Sequence, residues 1–188
     1  MKYALNGITE LKLQPPAMLH YAQSLRIRSW VQQAVEELFA SYSRVRDWTD
    51  EDFMLLGRSV PTLVRAFDAL QYQYRRYAAV PPRMPEPDLL SSCLSSKHDT
   101  CKRVWTDGWC KKIARDILHP VTPLSLSKVV DLVIETPFPG MTDCCKNNLV
   151  TSLSELNAFQ FDVHLREQVV EEICRLHGIS GPDPTLST

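Results

Sequence analysis

Apolar residues recur every three or four positions along most of this chain, a spacing that a helix buries along one face. Residues 30–39 are the cleanest case. At about 100° per residue, Trp30, Val31, Ala34, Val35, Leu38 and Phe39 share one half of a helix, and Gln32, Gln33, Glu36 and Glu37 share the other. Leu63, Phe67, Leu70, Tyr74 and Tyr77 form a narrow stripe that leaves Arg65, Asp68 and Arg75 outside it. Core packing is the reading favoured for that stripe, with an aromatic ligand groove as the alternative. Leu149, Leu153 and Leu156 repeat the pattern, as do Leu165, Val169, Ile173 and Leu176.

Local punctuation sets the expected limits. A first helix, carrying Met18, Leu19, Tyr21, Ala22 and Leu25, breaks near Arg26–Arg28, and Ser29 is a candidate N-cap for the next. Thr49 with Asp52 three residues on forms a partial capping box for a short helix that ends at Gly57. Pro61 suits the first turn of the long striped helix. Pro120 and Pro123 close a helix running from about His98 to Leu118. Residues 124–135 read as a helix, with a strand as the alternative because of their β-branched content. Two further helices are expected near 142–156 and 162–177. The fold class is therefore all-α: an irregular helical domain of about eight helices in two subunits. Residues 1–80 form one helical unit, 81–92 a Pro-rich connector, 93–177 a second helical unit and 178–188 a disordered tail. The connector opens with PPRMPEP, four prolines in seven residues, which predicts a stiff extended segment.

Composition narrows the function classes. Six glycines in 188 residues argue against tight-hairpin sandwiches and glycine-cradled nucleotide sites. A net charge of −1 removes the bulk electrostatic case for nucleic acid or an anionic membrane. No apolar run approaches the ~20 residues of a membrane span, and the N-terminus lacks the apolar region of a secretory signal. Reduced thiols, and hence a cytoplasmic or nuclear location, are the expectation for the six cysteines. No nucleophile-elbow, phosphate-loop or zinc-protease motif occurs.

The most specific chemistry is Cys93-x4-His98-x2-Cys101, followed by Cys144-Cys145. Zinc takes four such ligands in tetrahedral geometry. His98 and Cys101 share a helix face at i, i+3. Cys144 and Cys145 fall in the first turn of another expected helix, where the thiolate is favoured. Small buried hydrophobes are the alternative reading of these cysteines, and the one expected for Cys110 and Cys174. Trp105 and Trp109, four apart, read as core or as an apolar shell over a metal. Lys97, Lys102, Arg103, Lys111, Lys112 and Arg115 outweigh Asp99 and Asp107 locally, but a 100° step scatters them around the helix. Solvated surface is favoured over a nucleic-acid face.

The run PPAMLHYAQSLRIRSWVQQAVEELF resembles the segment after the BTB/POZ fold in basidiomycete-type fungal BTB proteins, with Ala22, Trp30, Ala34 and Leu38 at the pattern positions. WTDEDFMLLG is similar to the short helix and glycine that follow there. Cys93, His98, Cys101, Trp105 and Trp109 match that family's cysteine and H-x2-C-x3-W-x3-W, and Gly140, Met141, Cys145 and Lys146 match its G-M-x3-C-[KR]. The resemblance spans roughly residues 3–177. It implies one structural zinc ion held by Cys93, His98, Cys101 and Cys145. The family often carries a cysteine directly after Gly-Met, where this chain has Thr142, so Cys144 stands as the alternative fourth ligand. It also implies that the BTB fold precedes residue 1, with MKYALNGITEL as at most its last helix. The expected function is a non-enzymatic protein-interaction or adaptor module with a protein partner, and with no membrane, nucleic-acid or small-molecule substrate role. The alternative is a zinc-stabilised nucleic-acid-binding or transcriptional regulatory protein.

Overall fold

The computed structural model describes residues 13–40, 48–86, 95–120, 123–155 and 159–181. The expectations for Cys93, Leu156, the first twelve residues and the last seven fall outside them. Among the described residues the chain is all-helical, with no strand. Helices α1 (Pro15–Leu25), α2 (Arg28–Ala40), α3 (Asp50–Leu56) and α4 (Val60–Ala79) come first. Then follow α5 (Ser95–Gly108), a π-helical turn (Trp109–Ile113), α6 (Ala114–Ile117), α7 (Val129–Glu135), α8 (Asp143–Glu155) and α9 (Phe161–Leu176). No described helix is long and apolar enough to cross a membrane.

Two boundaries differ from expectation. Ser29 lies inside α2 rather than capping it. Arg26 adopts the left-handed conformation at φ 57°, and the Arg26 and Ile27 N–H groups bond back to the Gln23 and Ala22 carbonyls. This closes α1 so tightly that the Ile27 carbonyl already accepts the Val31 N–H. Further on, α5 starts at Ser95, three residues before His98. The Thr49 box is complete: Thr49 Oγ1 accepts from the Asp52 N–H, and the Asp52 carboxylate accepts from the Thr49 N–H at 2.8 Å. The valine-rich stretch is helical in α7.

The chain divides into two compact units, Met1–Asp68 with His164–Thr188, and Ala69–Val163. In the first, α1 packs on α2 and α3. Leu19, Ala22, Val31, Val35 and Leu56 are fully buried. Phe39 and Trp48 both pack against Phe67, at 5.1 and 5.9 Å between ring centres. Polar ties bring in the last helix: Thr62 and Arg65 both donate to Glu172, and Arg28 pairs with Glu171. Gln23 Nε2 donates to the buried Ser59 hydroxyl at 2.8 Å, and His177 Nε2 lies 3.3 Å from the same oxygen.

In the second unit the core is aromatic. Trp105 contacts Trp109 at 5.2 Å and Phe138 at 5.5 Å, while Phe159 packs on Tyr77 and stacks on Trp109. Trp105, Trp109, Ile113 and Ile117 are all buried although they are spaced by four. In an α-helix each such step overshoots a full turn by about 40°. The π turn winds less per residue and takes back part of that drift. The same turn leaves Cys110 exposed, contrary to its expected burial, whereas Cys174 is buried as expected. Pro139 and Gly140 form the corner before α8. Gly140 has φ 93° and the Met141 N–H bonds the Phe138 carbonyl at 3.0 Å, a turn that needs a residue without a Cβ at its third position. Lys146 reaches from α8 to the end of α7, donating to the Ile134 and Thr136 carbonyls at 2.7 and 2.9 Å.

Candidate metal centre

The first two turns of α5 and the first turn of α8 bring three of the sequence-nominated residues close. His98 is on α5, one turn before Cys101, and Cys145 is the third residue of α8. All three are buried, at 3, 0 and 4% exposure. The Cys145 Sγ lies 3.5 Å from His98 Nδ1. Cys144, the neighbouring alternative, is only half-buried. Thr142 links the remaining thiol to the pair. Its backbone N–H donates to Cys101 Sγ at 3.4 Å and its hydroxyl oxygen lies 3.7 Å from the same sulfur. That hydroxyl also accepts the Cys145 N–H at 3.4 Å, which makes Thr142 the N-cap of α8. Directly after Gly140 and Met141 the chain thus places a cap that touches both Cys101 and Cys145.

Zinc bonds of about 2.0–2.1 Å to nitrogen and 2.3 Å to sulfur, at the tetrahedral angle, separate two ligand atoms by roughly 3.6 Å. The His98–Cys145 spacing meets that figure. An N–H donated to Cys101 Sγ is also what a thiolate favours over a thiol. Among the described residues, no group of three His, Cys, Asp or Glu side chains stands assembled to hold an ion. Cys93 lies outside those residues. The donor types are ones that zinc takes, and the 3.5 Å spacing is equally that of a thiol–imidazole hydrogen bond.

Beyond the nominated ligands, the structure adds Glu86. His98 Nε2 has no hydrogen-bond partner among the described residues, and the nearest carboxylate oxygen is Glu86 Oε2 at 3.7 Å. Lys102, one turn after His98 on the same face of α5, donates to both oxygens of Glu86 at 3.0 and 3.2 Å. Lys102 holds the Glu86 carboxyl below its ordinary range, by hydrogen bonding first and by charge second. Glu86 belongs to the Pro-rich run. Its described residues, 81–86, form neither helix nor strand and lie against α5. The Tyr77 carbonyl accepts the Trp109 indole N–H at 3.0 Å, the Pro82 carbonyl accepts that of Trp105 at 2.7 Å, and Met84 is buried. Proline lacks an N–H but keeps its carbonyl, and Pro82 accepts through it. The two tryptophans are core; Trp105 also ties the run, while Trp109 ties the end of α4, where Tyr77 lies.

Of the basic residues from α5 to α6, Lys102, Lys111 and Arg115 each lie near a carboxylate, Glu86, Asp107 and Asp116 respectively. Compared with known proteins, the chain matches no family model, no curated protein and no solved structure.

Proposed function

We propose that this chain is a non-enzymatic, all-α protein-interaction module, like the region after the BTB fold in fungal BTB proteins. In this reading its second unit is held by one structural zinc ion with Cys93, His98, Cys101 and Cys145 as ligands. The observation that carries it is the pairing of His98 and Cys145. Residues 47 apart in sequence, on two helix starts, meet in the buried interior at the spacing of zinc ligands. The buried Cys101 beside Thr142 and the sequence resemblance support the same set. Bound there, zinc supplies a cross-link between the starts of α5 and α8. Such a cross-link adds stability that a small aromatic core lacks. The role as an adaptor for a protein partner rests on the resemblance, as does the absence of catalysis.

Elemental mass spectrometry on protein purified reduced and without chelator tests this reading. About one zinc per chain is expected, with helicity lost from the second unit on chelation. A chain that carries no metal and keeps its helicity in chelator overturns the zinc reading. Turnover of model ester, phosphate or peptide substrates by the purified chain overturns the non-enzymatic one.

A further inference from the structure

We infer that Glu86 is a positioning residue for His98: it holds the ring with the proton on Nε2, so that Nδ1 is the nitrogen turned toward Cys145 and toward a metal. This deepens the zinc reading above and, for its metal arm, rests on it. Three observations meet at this point. The His98 side chain is 96% buried, since its exposure is 4%, and its Nε2 lacks a hydrogen-bond partner among the described residues. A buried imidazole nitrogen left without a partner is costly, and a nitrogen bearing a proton needs an acceptor. Among the described residues, the Glu86 carboxylate is set beside it, 3.7 Å away, just beyond hydrogen-bond length.

The opposite tautomer fares worse. With the proton on Nδ1, Nε2 would present a lone pair to a carboxylate oxygen, and the two would repel. With the proton on Nε2, the contact is attractive and Nδ1 is a lone pair facing the Cys145 sulfur. A histidine that binds a metal through one nitrogen commonly donates its other N–H to a carboxylate, which fixes ring and tautomer.

Glu86 is itself placed by its surroundings. Lys102 holds both of its oxygens, and Arg83 lies 3.8 Å from one of them. The indole bond from Trp105 to the Pro82 carbonyl holds the Pro-rich run that carries it. The run therefore delivers a carboxylate to the rim of the site rather than only spanning a gap.

The test reads the ring directly. Imidazole nitrogen shifts and nitrogen–proton couplings of His98 report which nitrogen carries the proton, in metal-free or zinc-loaded protein alike. Wild type is expected to show Nε2 protonated and Nδ1 unprotonated. In Glu86→Ala the metal-free ring is expected to lose that single-tautomer signature, and Glu86→Gln, whose amide oxygen still accepts, to restore much of it. Competition against a chromophoric chelator should show zinc affinity lower by about 10- to 100-fold in Glu86→Ala. An Nδ1-protonated ring in wild type overturns the inference. So does zinc-binding wild type whose affinity and ring signature are unchanged in Glu86→Ala, and that result leaves the zinc reading standing. A wild type that binds no zinc but shows the Glu86-dependent tautomer overturns the zinc reading and supports the positioning role.

Discussion

Gly108 is where the second unit has the least room. A Cβ built there would stand 2.6 Å from the Phe138 ring, which is itself held against Trp105. Replacing a helical glycine by alanine ordinarily gains about 1 kcal/mol. Here the ring must move, and overpacking of that kind costs ~1–3 kcal/mol. Gly108→Ala is therefore expected to lower stability, read as a reduced urea midpoint. A gain equal to the helix propensity would mean that Phe138 swings aside freely. Gly140 is constrained for a different reason, its positive φ at the corner before α8. Both sites are glycine, but one lacks space and the other lacks an L-compatible backbone. Thr142 shows a third constraint: one side chain caps α8 and touches the sulfur environment of Cys101.

At the scale of elements, the contact of the Pro-rich run with α5 is the feature with the most leverage. Trp105→Phe removes the N–H that reaches the Pro82 carbonyl and also leaves part of the buried indole volume unfilled. The expected loss therefore exceeds the about 1 kcal/mol of the hydrogen bond, because a cavity cost adds to it. Amide exchange of Lys102 and its neighbours on α5, followed beside the stability, should rise if the run loosens from the helix. Unchanged exchange and unchanged midpoint would mean the indole bond contributes nothing net. The helices themselves were legible in the sequence because their stripes are local and their caps are short-range; Thr49 with Asp52 is a complete signal within four residues. The nominated ligands were legible as residue types at suggestive spacing; the resemblance named Cys145 with Cys144 as the alternative, and no local pattern foretold that Cys145 is the more buried of the two. Glu86 had no signal at all. Its pairing with His98 and Lys102 depends on how a proline-rich run lies along a helix, and no local pattern encodes that. The π turn was hidden for a related reason, since apolar residues spaced by four read equally well as an ordinary helix.

At the scale of the molecule, the ties between early and late chain segments in the first unit make it sensitive to pH. His177, hydrogen-bonded toward Ser59, is held below the ordinary histidine value of 6.5, by burial first and by the Arg58 charge second. Between that depressed value and 6.5 the unfolded chain binds more protons than the folded one, so stability rises with pH across the window. The contribution is complete above the unfolded value and is lost as pH falls through the folded one. Urea midpoints should therefore drop on acidification, and His177→Gln should flatten that part of the curve. If the variant and the wild type fall in parallel, His177 is not the group responsible. The π turn has a consequence of another kind, one of length rather than composition. Removing one residue between Trp109 and Ile113 would leave an uninterrupted α-helix with every backbone bond made. Spacings of four, three and four would then keep Ile113 and Ile117 within about 60° of Trp105 and Trp109 around the rod. The wider turn thus absorbs one surplus residue without changing which way the rod faces, so a shorter and locally more regular helix would present the same stripe.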